Sequence, residues 1–107
     1  MIRVIIESPY SGDVKANETY ARACVKDSLL RGEAPIASHL LHTQKGILND
    51  KDPEERELGM RAGHAWYSRG ASKCVVYCDR GVSKGMAAGI VVANTCGVDL
   101  EFRWIEE

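Results

Sequence analysis

Apolar and polar positions change period several times along the chain, and the changes mark its elements. Ile2-Arg3-Val4-Ile5-Ile6 opens as a strand with the short apolar run of a covered sheet. Glu7 to Asp13 follows as a loop, with Pro9 and Gly12 as turn residues. From Asp13 or Asn17 the period becomes helical. Tyr20, Ala21, Cys24, Val25, Ser28 and Leu29 form one stripe, the helix reaches about Arg31, and Gly32 stops it. Ala34-Pro35-Ile36-Ala37 predicts a short second strand, with the proline at an edge or a strand start. A turn over 38–44 and a polar connection over 45–51 come next. Asp52-Pro53-Glu54-Glu55 then supplies a cap, a first-turn proline and acidic residues that suit a helix N-terminus. That helix is expected to run to about Arg69 and to stop at Gly70.

The third strand is the apolar run Val75-Val76-Tyr77-Cys78, broken by Gly81. Ser83 is the expected N-cap of a helix that carries Met86, Ile90 and Ala93 near one face, with Gly97 beyond its end. Val98, Leu100, Phe102 and Trp104 alternate with Asp99, Glu101, Arg103 and Ile105, as in a half-exposed last strand. The order is βαβαβαβ. Strands alternating with helices predict an α/β fold: a single flavodoxin- or Rossmann-like domain over 1–107, with a four-stranded, mainly parallel sheet and helices on both faces. Three strand-end loops then share one rim, at 7–13, 37–45 and 79–86, where open α/β sheets bind ligands.

Composition narrows the function classes. The chain has 107 residues, 45% of them hydrophobic and 27% charged, which suits one globular domain. The formal net charge of -1 and the lack of a basic run give no support to binding of a nucleic-acid polymer. No apolar segment approaches a membrane span, and the opening strand lacks a signal-peptide layout. Cys24, Cys74, Cys78 and Cys96 match no zinc or thioredoxin spacing and all sit in apolar contexts. They read as reduced core thiols of a cytoplasmic protein. His39 and His42 lack a third ligand, so no metal is expected, and nothing in the chain calls for a cofactor.

The rim loops carry the candidate chemistry. Strand, glycine turn and helix over 73–93 leave backbone N–H groups of the Ser83-Lys84-Gly85-Met86 turn facing open space, where phosphate, carboxylate or sugar hydroxyls are attracted. The alternative is an ordinary βα turn with glycines for packing. Tyr10 either stacks on a base or covers a core edge, and Ser11 offers a polar group. His39 and His42 contact ligand hydroxyls or satisfy backbone groups. Gly59 and Gly63, four apart in a helix, predict close approach of a neighbouring element or a ligand. Trp66 and Tyr67 are core or an oligomer contact.

Taken in order, Ser8-Pro9-Tyr10-Ser11 after the first strand, Ala37-Ser38-His39, Glu55-Arg56-Glu57-Leu58-Gly59, and Asp79-x-Gly81-x-Ser83-x-Gly85-Met86 leading to Ala93 resemble the nucleoside 2-deoxyribosyltransferase-like superfamily. The resemblance is to its small, often phage-encoded branch and covers nearly the whole chain. It implies a nucleoside-type ligand at the rim and a homo-oligomer. Members cleave the N-glycosidic bond through a glutamate near the start of the helix after the third strand. Here that position falls on Gly89, or on Ala87 in a second alignment, and neither can act as a nucleophile. The resemblance therefore implies a protein that binds a nucleoside- or nucleotide-derived small molecule without cleaving it, as in sequestration of a signalling nucleotide in a host cytoplasm. Ser83, Lys84 and Gly85 would meet a phosphate, Asp79 the ribose and Tyr10 the base, with Ser8, Pro9, Ser11, Ser38, His39, Gly81 and Met86 completing the site. The alternative is an N-glycosidase or deoxyribosyltransferase with a relocated carboxylate, for which Asp79 is the nearest candidate and Glu7 is the other rim carboxylate. A second alternative is a structural or regulatory interaction module.

Overall fold

Strand β1 spans Arg3–Glu7 and lies inside the sheet, so both of its edges are paired. The computed structural model describes residues 1–68 and 71–106. After β1 the chain forms helix α1 (Val14–Leu30), strand β2 (Ala34–Ile36), a short helix α2 (Ser38–His42), helix α3 (Pro53–Ala65), strand β3 (Lys73–Tyr77), helix α4 (Lys84–Thr95) and strand β4 (Asp99–Arg103). The four strands pair in the order β2-β1-β3-β4, and every pairing is parallel. The chain thus forms a parallel α/β domain of the Rossmann or flavodoxin type, as its periodicity predicts. Successive connections leave β1 toward opposite edges of the sheet. The carboxyl ends of β1 and β3 therefore flank a topological switch point.

Strand alternation sorts the core into two layers. Val4 and Ile6 of β1 and Val75 and Tyr77 of β3 pack with Tyr20 and Cys24 of α1 on one face. Ile5, Cys74 and Val76 pack with Tyr67, Met86 and Ala93 on the other, under α4. Glu7 continues the period of Ile5 and pairs in register with Val76, so its side chain belongs to the α4 face. Read as the start of a loop, Glu7 is instead the last residue of the central strand.

The caps hold as the sequence predicts. Asp13 caps α1 and Asp52 caps α3 ahead of Pro53; Ser83 accepts from the Met86 N–H at the start of α4. Gly32 and Gly97 take positive φ just beyond their helices. Several expectations are corrected. The 38–42 turn is a helix of its own. Helix α3 ends at Ala65, and its last turn tightens through bonds of Trp66, Tyr67 and Ser68 to Gly63, His64 and Ala65 carbonyls. Its expected end at Arg69 and Gly70 lies outside the described residues. This tightening buries Tyr67 and leaves Trp66 48% exposed. On β4 the expected inward stripe fails at its carboxyl end: Phe102 and Trp104 are exposed, while Arg103 is buried. The Arg103 guanidinium grips Glu33 with two bonds of 2.7 and 2.6 Å, which fixes it inside. All four cysteines are free; Cys24 and Cys74 are buried, Cys78 is half-buried, and Cys96 is exposed rather than a core thiol. Among the described residues, no helix is long and apolar enough to cross a membrane.

Candidate functional site

A cavity of about 330 Å³ opens at the switch point, within the size range of small-molecule sites. Its floor is the end of β1, with Ile6, Glu7 and Ser8; the β1–α1 loop adds Tyr10 and Ser11. One wall is the start of α4, with Ser83, Lys84, Gly85 and Met86. The other is the α2–α3 pair, with Ser38, His39 and His42 facing Gly59, Gly63 and His64. Arg56, Glu55 and Asp50 stand at the α3 end.

Two glycines make the α2–α3 wall possible. A Cβ on Gly63 would lie 2.5 Å from Ser38 Oγ, and one on Gly59 would lie 3.2 Å from Leu48 Cδ1. The sequence signal of two glycines on one helical face thus marks close packing by elements that also border the cavity. Gly85 differs: a Cβ there would meet only Ser83 Oγ, at 4.0 Å, so the first turn of α4 is open. Lys84 and Arg56 make no ion pair among the described residues. Both are available to an anionic group.

Of the residues predicted for the site, Ser8, Tyr10, Ser11, Ser38, His39, Ser83, Lys84, Gly85 and Met86 come together around this cavity. Pro9 is buried beside it without lining it. Gly81 sits in an exposed turn at φ +79 and also stays outside. Asp79 is corrected more firmly. Its carboxylate accepts from the Tyr20 hydroxyl at 2.6 Å and from the backbone N–H groups of Ile105 and Glu106 at 3.0 and 2.9 Å. Burial works against its charge, but these bonds outweigh it and hold the carboxyl below the usual range. Asp79 ties the tail after β4 to α1. It neither lines the cavity nor has a free oxygen to offer a sugar.

The carboxylate on the cavity floor is Glu7, apart from Asp50 and Glu55 at the α3 end. A Cβ on Gly89 would fall 2.5 Å from Glu7 Cδ and 2.9 Å from Oε1, and closer still to Oε2. The Glu7 carboxylate therefore fills the space that a side chain at position 89 would enter. Burial raises its pKa to about 7, only partly opposed by the hydroxyl of Tyr67, which donates to Oε2 at 2.5 Å. At neutral pH the group sits between its charged and neutral forms. Beside it, His39 Nε2 lies 2.8 Å from Ser8 Oγ. Burial pushes the His39 imidazole down to about 4, so it is neutral near pH 7. His64 is pushed down by burial as well. Among the described residues, the lysine and arginine at the cavity are Lys84 and Arg56. No three His, Cys, Asp or Glu side chains gather as a metal-ligating group among the described residues.

Sequence reasoning placed Glu7 on the rim but gave the catalytic role to Asp79, and it left Tyr67 open between core and interface. The available signal was parity: Glu7 is two residues from Ile5, the same phase that carries Ile5 under α4.

Fold and cavity together define a parallel α/β domain with a half-buried carboxyl at its strand-end cavity. The chain belongs to the family described as Domain of unknown function (DUF7768), whose model matches residues 2–103. No curated protein matches it.

Proposed function

We propose that this protein binds a nucleoside- or nucleotide-derived small molecule at the strand-end cavity and cleaves its N-glycosidic bond with Glu7. One observation carries the reading. Among the described residues, the one carboxylate on the cavity floor occupies the space beside Gly89, one of the two positions, with Ala87, at which the resemblance expects the nucleophile. On this reading the carboxylate stands on the strand rather than the helix, in space that the glycine leaves open. Tyr10 would cover the base, and Lys84 with the open first turn of α4 would receive a phosphate.

In the chemical step a Glu7 oxygen attacks the anomeric carbon. The C–N bond breaks with its electron pair leaving on the base, which takes a proton from solvent. The glycosyl ester is then released by water, or by a second base, which restores the carboxylate. Because the attacking form is ionised, kcat/KM should rise with pH up to about 7 and level off above it. The test is release of free base from a panel of nucleosides and nucleoside 5′-monophosphates, followed by chromatography. Wild type should release base, Asp79→Asn should match it, and Glu7→Gln should not.

A second reading, binding without cleavage, is favoured by the same carboxyl being partly protonated at neutral pH, which weakens it as a nucleophile. It predicts unchanged nucleotide recovered from the protein after denaturation. Free base from no member of the panel would reject cleavage; neither free base nor retained nucleotide would reject both readings.

A further inference from the structure

Tyr67 is among the largest fully buried side chains, at 2% exposure. A leucine or phenylalanine would fill the same apolar layer without a hydroxyl to satisfy. The hydroxyl is nevertheless there, and it is used twice. It stands 2.5 Å from Glu7 Oε2 and 3.2 Å from Cys74 Sγ. Glu7 Oε1 has no hydrogen-bond partner among the described residues. The chain Cys74–Tyr67–Glu7 runs from β3, through the turn after α3, to β1, three elements brought together only by the fold.

We propose that Tyr67 is a positioning residue for the Glu7 carboxyl, holding Oε2 against Gly89 so that Oε1 is the oxygen presented to the ligand, with Cys74 fixing the phenol in turn. This rests on Glu7 being the working group of the cavity. The geometry serves both protonation states. With Glu7 ionised, the thiol donates to the phenol and the phenol donates to the carboxylate. With Glu7 protonated, the carboxyl donates to the phenol oxygen and the phenol turns toward sulfur. Either way the rotamer is kept. The α3 turn that buries Tyr67 thus has a role beyond filling the core: it sets the aim of a carboxylate on another element.

The groups bonded to this carboxyl are distinct from those that only share its cavity. Tyr67 and Cys74 touch it directly or through one bond, and His64 lies 6.4 Å from the Tyr67 ring. Helix α4 presents Gly89 and Met86 there, and His39, His42, Asp50, Glu55, Arg56 and Lys84 border the same cavity. A shift in the titration of Glu7 on removing one hydroxyl is therefore assignable.

The experiment is Tyr67→Phe, which keeps the ring and removes the bond. In protein labelled with ¹³C at glutamate side chains, Glu7 is the resonance that Glu7→Gln deletes. Tyr67→Phe should move its midpoint upward by about one pH unit or more, and Cys74→Val should move it the same way by less. On a substrate that wild type cleaves, Tyr67→Phe should lower kcat tenfold or more, leave KM within about twofold, and carry the pH midpoint up by the same amount. An unchanged Glu7 midpoint in both variants, with native near-ultraviolet dichroism, would overturn the proposal and leave Tyr67 as packing. A shifted midpoint in a protein that cleaves nothing would keep Tyr67 as the positioning residue and reject the cleavage reading alone.

Discussion

The desolvated Glu7 carboxyl makes the protein less stable than it need be, and Glu7→Gln should reveal by how much. A group whose pKa is raised on folding, here from 4.5 to about 7, keeps in the native state a proton that the unfolded chain has lost. Stability therefore falls as pH rises through that window. The linkage relation gives a cost of under about 1 kcal/mol at pH 5 and up to about 3 kcal/mol at pH 8. Glutamine is close in size, stays neutral, and still accepts from Tyr67. The variant should match or slightly exceed wild type at pH 5 and exceed it by about 2–3 kcal/mol at pH 8, a rise in Tm of roughly 10 °C or more. Urea titrations of both proteins at the two pH values measure the difference directly. His39 is common to both proteins, so its own pH dependence cancels. A gap that stays constant between pH 5 and pH 8, or a variant less stable at pH 8, would refute the assignment of Glu7 as a desolvated carboxyl. A widening gap together with loss of base release identifies a group kept for function against stability.

Three further outcomes follow from the same geometry. His39, neutral because burial pushes it down to about 4, makes stability fall as pH drops from about 6.5 toward 4; His39→Gln should flatten that acid limb by up to about 3 kcal/mol in urea midpoints, and an unchanged limb would exclude the burial argument. Gly89→Ala would drive a methyl group into the Glu7 carboxylate; it should destabilise by about 1–3 kcal/mol and abolish base release, and wild-type behaviour in both assays would show that Glu7 has another place to go. Asp79→Asn weakens the bonds to Tyr20 and the tail after β4; it should cost about 1–2 kcal/mol in denaturant titrations while leaving cavity chemistry unchanged, and loss of activity in a stable variant would return Asp79 to the site.

The two halves of the site differ in how far the sequence reveals them. The walls are legible because local rules make them. Ser83 reads as a cap and Gly85 as an open first turn, while Tyr10, Ser11, Ser38 and His39 fall in segments that a parallel sheet must place at strand carboxyl ends. Asp52 before Pro53 and Gly97 after α4 fix helix ends by the same short-range chemistry. The floor obeys no local rule. A glutamate after the five residues Ile2 to Ile6 looks like the start of a loop, because a charged side chain next to a core is normally costly. What lets Glu7 stay is supplied from far along the chain: a glycine at 89 that vacates the space, and a phenol at 67 that bonds the carboxylate. Asp79 fails in the opposite sense. Its place after β3 looks functional, but the backbone of residues 105 and 106 returns to claim it. Arg103 shows the same logic on β4, where alternation would turn it outward and a carboxylate at Glu33 draws it in. In each case a polar side chain is placed by a partner far away in sequence, and periodicity carries no information about that partner. The glycine at 89 is the nearest to an exception. A small residue where a carboxylate is expected poses a definite question — what fills the vacated volume — and the only side chain that β1 can turn toward it is the next in phase after Ile5, which is Glu7.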